Sequence, residues 1–296
     1  MAPEAHLTPA PSAAPTGPQP STDEMAGEGG RRLYVRRWAP PAAATAAGAP
    51  VVIVHGYAEH CGRYDHVGRA FAASGAATWA MDLRGHGRSE GPRANIERLE
   101  WALADLDQLV GRAGAGVVMF GHSLGGALAA AYAATRPGKL RGLVLSAPAV
   151  HLASRPAWQV WPVRALAAVA PGTGVARVRP EGLSRDPQVV NSFIDDPLVW
   201  HGRAPARTVI EMYRAGRMAL RAAGQLTVPL LVVHGEADPI VPVSSSQEFF
   251  SAVAGPDKEL VVLPGFRHEP HQELGKEAAI ARVVEWAVQH GAGAKL

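Results

Sequence analysis

Short runs of apolar residues alternate along the chain with longer stretches that are rich in alanine. The apolar runs are continuous, which is typical of strands that are buried on both faces of a parallel sheet. They predict strands at 51–56, 76–82, 116–122, 140–148, 228–235 and 258–265. The stretches between them predict helices near 62–74, 95–112, 124–136, 242–254 and 272–290. Such alternation predicts an α/β protein whose mostly parallel sheet is flanked by helices.

Three segments depart from this alternation. Residues 1–30 are rich in Pro and Ala and carry almost no large apolar side chains, so they are predicted to form a disordered tail. Residues 31–38 alternate between apolar and polar positions and are predicted to form an edge strand. Residues 151–222 lie between two predicted strands and contain helix-like pieces, which indicates a helical cap inserted above the sheet. The core would then consist of 31–150 and 223–296.

Composition and charge narrow the class of protein. The net charge is only +3 and no basic block stands out, so no nucleic-acid partner is expected. No apolar run reaches the ~18 residues that span a bilayer, and the N-terminal segment lacks the features of a secretory signal. The single cysteine, Cys61, excludes an intramolecular disulfide and fits a reducing compartment. These features predict a globular protein of the cytoplasm.

Residues 121–125 read Gly-His-Ser-Leu-Gly, between a predicted strand and a predicted helix. In this context the G-x-S-x-G pattern forms a nucleophile elbow, the sharp turn that lifts the serine of an α/β-hydrolase fold above its sheet. Such a turn leaves no room for flanking side chains, which accounts for Gly121, Gly125 and Gly126. Ser123 is therefore the predicted nucleophile, at a helix N-terminus that favours developing negative charge.

A serine hydroxyl is a weak nucleophile and needs a base that is oriented by a carboxylate. In this fold the acid and then the histidine follow the serine along the chain, in loops after late strands. Asp238 follows the fifth predicted strand and His268 follows the sixth, at the sheet edge where active sites assemble. We therefore predict a catalytic triad of Ser123, Asp238 and His268. Glu236 is the alternative acid and His271 the alternative base.

Acyl transfer also requires two backbone N–H groups that stabilise the oxyanion. Leu124, directly after the nucleophile, is expected to supply one, and Tyr57, in the loop after the first predicted strand, the other. No metal or other cofactor is expected. The sequence His-Glu-Pro-His at 268–271 lacks one residue of the zinc-protease spacing, and Pro270 disfavours the helix that such a site needs.

Six sequence blocks run through the chain between about Arg31 and the last predicted helix. They are HGYAEHCGRYDHV (55–67), AMDLRGHGRSEG (80–91), GHSLGG (121–126), LSAPAV (145–150), SRDPQVVNSFIDDPLVWHGR (184–203) and HGEADPIVP (234–242). Together they resemble the monoacylglycerol lipases, particularly those of bacteria. The first and fifth blocks are the specific ones, and the fifth lies in the predicted cap. The chain departs from the family at Leu124, where methionine is usual, and over 152–180, which follows only the general pattern.

The resemblance implies a serine esterase that cleaves monoacylglycerols, or similar lipid esters, to fatty acid and glycerol without a cofactor. The family's triad positions coincide with the three residues that were chosen from the strand order. The resemblance also implies that Glu59, Arg63 and His271 line the pocket for glycerol. For Glu59 and Arg63, a structural ion pair is an equally good interpretation.

The family's caps are apolar and touch membranes, so the resemblance also implies peripheral membrane contact through the cap. The candidates for this contact, with inward packing as the alternative, are Trp158, Trp161, Val163, Leu166 and Val169. Other functions stay open: a lysophospholipase, a carboxylesterase for short acyl chains, a prolyl-type peptidase, or an inactive α/β-hydrolase that acts as a binding module. The presence of all three triad members argues against the last of these.

Overall fold

The computed structural model describes residues 19–42, 48–150 and 156–291. Its strands are β1 (Ser21–Ala26), β2 (Arg32–Trp38), β3 (Val51–Val54), β4 (Thr78–Met81), β5 (Val117–His122), β6 (Leu140–Ser146), β7 (Gly174–Ala176), β8 (Ala204–Pro205), β9 (Leu230–Gly235) and β10 (Lys258–Leu263). Its helices are α1 (Asp65–Ala73), α2 (Leu99–Ala113), α3 (Leu124–Thr135), α4 (Ala157–Val169), α5 (Pro187–Asp195), α6 (Ala206–Ala222), α7 (Val243–Ala252) and α8 (Lys276–Gly291). The six strands and five helices that the alternation predicted are present, with ends that shift by a few residues.

Eight strands form the central sheet in the order β1-β2-β4-β3-β5-β6-β9-β10. Strands β4, β3, β5, β6, β9 and β10 run parallel to one another, and β2 is antiparallel to both of its neighbours. All the loops that follow the parallel strands therefore leave the sheet at the carboxyl ends of these strands. The predicted site residues lie in these loops.

The prediction for the first thirty residues is wrong where the structure describes them. Ser21–Ala26 pairs along the full length of β2, so β2 is an inner strand and β1 forms the edge of the sheet. Only Met25 of β1 is buried. An edge strand gains backbone hydrogen bonds without burying many side chains, which is why its polar composition gave no signal. Residues 1–18 of the predicted tail lie outside the described residues.

The buried strands explain the continuous apolar runs. In β3, Val52 and Val54 join a cluster with α2 and α3 on one face of the sheet, whereas Val51 and Ile53 join a cluster with α1 and α8 on the other. Because neighbouring side chains point to opposite faces, a strand covered on both sides must be apolar at every position. The prediction of a helix-flanked parallel sheet is thereby confirmed.

Between β6 and β9, the described residues form α4, α5, α6 and a two-stranded ribbon of β7 and β8. Val160, Val163 and Leu166 of α4 pack against a cluster that contains Ala206 and Ile210 of α6. The opposite face of α4 is exposed, with 73% of Trp158, 69% of Trp161 and 83% of Val169 open to solvent. Val163 and Leu166 therefore follow the inward-packing alternative, and the other three candidates point outward. No helix in the described ranges is long and apolar enough to cross a bilayer.

Candidate active site

Ser123 lies in a tight turn between β5 and α3. Its backbone has a positive φ of 52° with ψ of −115°, a strained conformation for a residue with a side chain. A Cβ on Gly121 would lie 2.5 Å from the carbonyl oxygen of Gly125, and one on Gly125 would lie 2.1 Å from that of Val54. Both separations are far below van der Waals contact, so only glycine fits at these positions. The turn has the form that the G-x-S-x-G pattern predicts.

The structure brings Ser123, His268 and Asp238 into one hydrogen-bonded line. Ser123 Oγ lies 3.0 Å from His268 Nε2, and His268 Nδ1 lies 2.7 Å from Asp238 Oδ2. The Asp238 side chain is fully buried, and Ser123 and His268 are nearly so. Burial opposes ionisation of Asp238, but hydrogen bonds from His234 and His268 hold the pKa of its carboxyl well below the usual value. Glu236, the alternative acid, is exposed and accepts a hydrogen bond from the Gly265 N–H instead.

His234 is part of this network, although the sequence reasoning missed it. Its Nε2 lies 3.0 Å from Asp238 Oδ2 and 2.9 Å from the carbonyl oxygen of Val241, while its Nδ1 lies 2.7 Å from Ser246 Oγ. A neutral ring with the proton on Nε2 satisfies all three partners, since Nδ1 then accepts from the Ser246 hydroxyl. A histidine at the end of a buried strand, four residues before the acid, was the signal available in the sequence.

The loop after β3 passes directly beside the nucleophile. A Cβ built on Gly56 would lie 3.3 Å from the Cβ of Ser123. The Gly56 N–H donates to Glu59 Oε1 at 2.6 Å, which leaves the next amide, that of Tyr57, as the oxyanion candidate in this loop. Leu124 begins α3 immediately after Ser123, so its amide is adjacent to the nucleophile in the chain, whereas Tyr57 belongs to the loop that passes beside it in space.

A cavity of about 850 Å³ opens above Ser123 and His268. Apolar side chains from the cap and from the core line most of it, among them Leu183, Phe193, Met212 and Ile240. Cavities of this size hold drug-sized or larger organic ligands, and apolar walls with a few polar groups set their orientation. The cap therefore supplies much of the surface that a substrate would contact.

One end of the cavity is polar and buried. Arg63 lies between two carboxylates, with its Nε 3.2 Å from Glu59 Oε2 and its NH2 nitrogen 2.7 Å from Glu269 Oε2. Glu59 and Glu269 line the cavity, whereas Arg63 lies behind them. Both interpretations of Glu59 therefore apply, since it pairs with Arg63 and also lines the cavity. Glu269 was missed, and its place directly after His268 in the sequence was the only signal for it.

His271 lies behind the wall of this cavity rather than among its lining residues. Its ring stacks on Tyr64 with centroids 4.7 Å apart and meets the edge of His122 at 4.8 Å. Burial lowers the pKa of His271 well below its ordinary value, so the ring is neutral at neutral pH. Ser123 Oγ faces His268 Nε2 and not His271, so His271 is not placed as the base. It is also absent from the residues that line the cavity.

Glu59, His122 and Glu269 each offer one potential metal-ligand atom, and these atoms lie within 4.8 Å of one another. The guanidinium of Arg63 already neutralises part of this charge from 2.7 Å and 3.2 Å away. Such a cluster suits hydrogen-bond donors better than a divalent cation, which would face the same positive group.

Comparison with known proteins identifies the family. A sequence profile described as Serine aminopeptidase, S33 matches residues 45–275. The chain is 39% identical to a monoacylglycerol lipase of Mycolicibacterium smegmatis, over 91% of this chain and 98% of that one. It is 31% identical to the human monoglyceride lipase, over 83% and 82% of the two chains.

A solved structure agrees with these relatives. The crystal structure of Paleococcus ferrophilus monoacylglycerol lipase superposes with a TM-score of 0.78 at 32% identity, covering 87% of this chain and 99% of the other. With the elbow and the strand order already in place, the fold is that of the α/β-hydrolases. The chain therefore belongs to the monoacylglycerol lipase family, whose members are carboxylic ester hydrolases.

Proposed function

We propose that the protein hydrolyses the ester bond of monoacylglycerols to a fatty acid and glycerol. The observation that carries the proposal is the position of Ser123, with His268 and Asp238 in line behind it, in a mostly apolar cavity that also has buried carboxylates in its lining. A monoacylglycerol has the same division, with an acyl chain on one side of its ester and a small polyol on the other. The relatives named as monoacylglycerol lipases support the same substrate.

The reaction proceeds in two steps through an acyl-enzyme. Ser123 Oγ attacks the ester carbonyl carbon while its proton moves to His268 Nε2, and the N–H groups of Tyr57 and Leu124 stabilise the oxyanion. The C–O bond to glycerol then breaks, and glycerol leaves with the proton from Nε2. Water attacks the acyl-enzyme by the same route and releases the fatty acid. Asp238 keeps the Nδ1 proton in place and stabilises the imidazolium that forms.

In this proposal the polar end of the cavity holds the glycerol. Glu59 contributes a carboxylate oxygen that faces the cavity, and Arg63 fixes that carboxylate from behind. His271 supports the wall through its contact with His122. Buried carboxylates accept hydrogen bonds from hydroxyl groups strongly, so a small polyol is matched and an apolar alcohol is not.

We further propose that the cap docks on lipid surfaces through α4. The outward face of this helix carries Trp158, Trp161 and Val169, all largely exposed. Arg164 is exposed on the same helix, and residues 156–180 contain no aspartate or glutamate. Exposed tryptophan and arginine on one helix are typical of segments that lie in the headgroup region of a bilayer.

Vesicle flotation tests the docking. Replacing Trp158 and Trp161 together by serine should weaken binding to phosphatidylcholine–phosphatidylglycerol vesicles by about tenfold or more. Leu274→Ser is the matched control, since Leu274 is 52% exposed outside the cap. Equal binding by all three proteins, or no binding by the wild type, would contradict the docking proposal.

Substrate comparison tests the enzymatic proposal. The values of kcat/KM are measured for 1-monooleoylglycerol, lysophosphatidylcholine, diolein, a butyrate ester and an alanine anilide, the last because the family profile is named after aminopeptidases. We expect monooleoylglycerol to be preferred by about tenfold or more, and Ser123→Ala to abolish turnover. Preference for another substrate that is lost in Ser123→Ala would retain the nucleophile and overturn the monoacylglycerol assignment.

A further inference from the structure

We propose that Glu269 is a specificity-determining residue. Together with Glu59 and His122 it forms a subsite of hydrogen-bond acceptors that selects a leaving alcohol with free hydroxyl groups and rejects one that carries a phosphate. The proposal rests on the proposed function, because it concerns the alcohol side of the same ester. The term acceptor subsite is used below for Glu59, His122 and Glu269.

The three side chains converge on one point of the catalytic cavity. Each offers an atom within 4.8 Å of the other two, and all three line the cavity that contains Ser123. Glu59 and Glu269 are each only 2% exposed. Glu59 Oε2 accepts no hydrogen bond from the described part of the chain, although it lies near Arg63. A buried carboxylate oxygen without a donor is costly, so the subsite is incomplete until a ligand supplies one.

His122 adds an acceptor rather than a donor. Its Nδ1 lies 3.1 Å from the carbonyl oxygen of Ser146, so the ring proton is on Nδ1 and Nε2 is the remaining acceptor. Burial lowers the pKa of His122 well below its ordinary value, which keeps the ring neutral. A ligand in the subsite therefore meets acceptors from three side chains. Adjacent hydroxyl groups, as in the glycerol of a monoacylglycerol, supply the donors that these acceptors need.

The local charge of the acceptor subsite disfavours anions. Arg177, Arg179 and Arg267 also line the cavity, but among the described residues none of them forms an ion pair with Glu59 or Glu269. One guanidinium, that of Arg63, faces two buried carboxylates. Burial, opposed by Arg63 and reinforced by the neighbouring Glu59, raises the pKa of Glu269 to about 7, so above pH 7 two carboxylates face the single positive charge of Arg63. A phosphate monoester would add further negative charge at the same place and present few donors. A neutral polyol is bound, and a phosphate is repelled.

Kinetics on three esters with the same acyl chain, measured at pH 8 where the Glu269 carboxyl is mostly ionised, test the proposal. They are 1-oleoylglycerol, 1-oleoyl lysophosphatidic acid and methyl oleate, whose alcohols carry free hydroxyls, a phosphate and no polar group. For Glu269→Gln we expect kcat/KM for oleoylglycerol to fall about tenfold, because a neutral acceptor replaces a charged one. The value for methyl oleate should stay within about twofold. The preference for oleoylglycerol over the lysophosphatidic acid should fall about tenfold or more.

Two further variants keep the test decisive. Glu273→Gln alters another buried carboxylate of the same loop that does not line the cavity, and it should affect all three esters equally. Glu269→Asp keeps the charge, so it should retain discrimination against phosphate even if its KM rises. Glu269→Asp also provides a test of the subsite if Glu269→Gln does not fold.

Several results would overturn the proposal. An equal loss of kcat/KM on all three esters in Glu269→Gln would mean that Glu269 acts only by positioning His268. Unchanged values on all three esters would mean that Glu269 is not part of the subsite. Activity that is lost with EDTA and restored by a divalent cation would make the cluster a metal site. If instead the wild type shows no preference for oleoylglycerol over methyl oleate, the proposed function itself fails.

Discussion

Replacing Asp238 by asparagine tests the identity of the orienting acid. Asp238 Oδ2 faces His268 Nδ1 at 2.7 Å and His234 Nε2 at 3.0 Å. Its Oδ1 accepts from the N–H groups of Ile240 at 2.8 Å and Val241 at 3.0 Å. Asparagine has one acceptor oxygen, which the two backbone amides would hold. Its NH2 group would then face His268 Nδ1, which must become an acceptor.

The consequence follows from the tautomer of His268. If Nδ1 accepts, the proton is on Nε2, which lies 3.0 Å from Ser123 Oγ and can no longer receive the serine proton. The loss of base and of imidazolium stabilisation costs about 10⁴-fold in kcat in Ser–His–Asp hydrolases, equivalent to about 5 kcal/mol in the activation barrier. The fold should survive, because the two side chains have nearly the same shape.

The assay is steady-state hydrolysis of monooleoylglycerol, with thermal unfolding as a check of the fold. Glu236→Gln is the matched control, since Glu236 is exposed and two residues away. Its activity should stay within about twofold of wild type, because surface substitutions of this kind have small effects. An Asp238→Asn enzyme with more than about a tenth of wild-type activity, or an inactive Glu236→Gln enzyme, would refute the assignment.

Three other changes test separate parts of the account. Burial lowers the pKa of His86 to about 4, so the stability that depends on its neutral ring is complete above pH 6.5 and falls by about 3 kcal/mol as the pH approaches 4. In urea unfolding, the free energy of unfolding of His86→Gln should therefore depend less steeply on pH in this range than that of the wild type. An unchanged pH dependence would contradict this. Gly125→Ala places a Cβ 2.1 Å from a β3 carbonyl oxygen and should abolish activity or folding. The control is Gly111→Ala in α2, which is exposed with open space around it and should raise the free energy of unfolding by up to about 1 kcal/mol. His234→Phe removes a donor from Asp238 and should lower kcat on monooleoylglycerol about tenfold, so unchanged turnover would place His234 outside the catalytic network.

Much of the fold could be predicted because its signals are local. Continuous apolar runs identify the strands of a covered parallel sheet, and the glycines around Ser123 identify a turn in which no other residue fits. The strand order of the acid and base then fixes the candidates, since parallel strands end at one edge. The edge strand Ser21–Ala26 could not be recognised, because its stability comes from backbone pairing with β2 rather than from apolar side chains.

The parts of the site that were missed depend on contacts across the chain. Glu269 is recognisable as a site residue only through its ion pair with Arg63, which lies 206 positions away in the sequence, and no local pattern indicates that pairing. His234 is recognisable only once the loop that contains Asp238 folds back over β9. The family resemblance pointed to the polar end of the cavity through Glu59 and Arg63. It did not indicate that His271 would lie behind the wall, stacked on Tyr64.

Labelling with a fluorophosphonate probe, followed by peptide mass spectrometry, tests the central claim most directly. Only a serine that is activated by a base in a formed site reacts with such a probe. The account predicts one adduct, on Ser123, that is absent in Ser123→Ala and is suppressed when 1-monooleoylglycerol is present in excess. An adduct on another residue, or no adduct on the folded protein, would contradict the claim that Ser123 is the nucleophile that cleaves the monoacylglycerol ester.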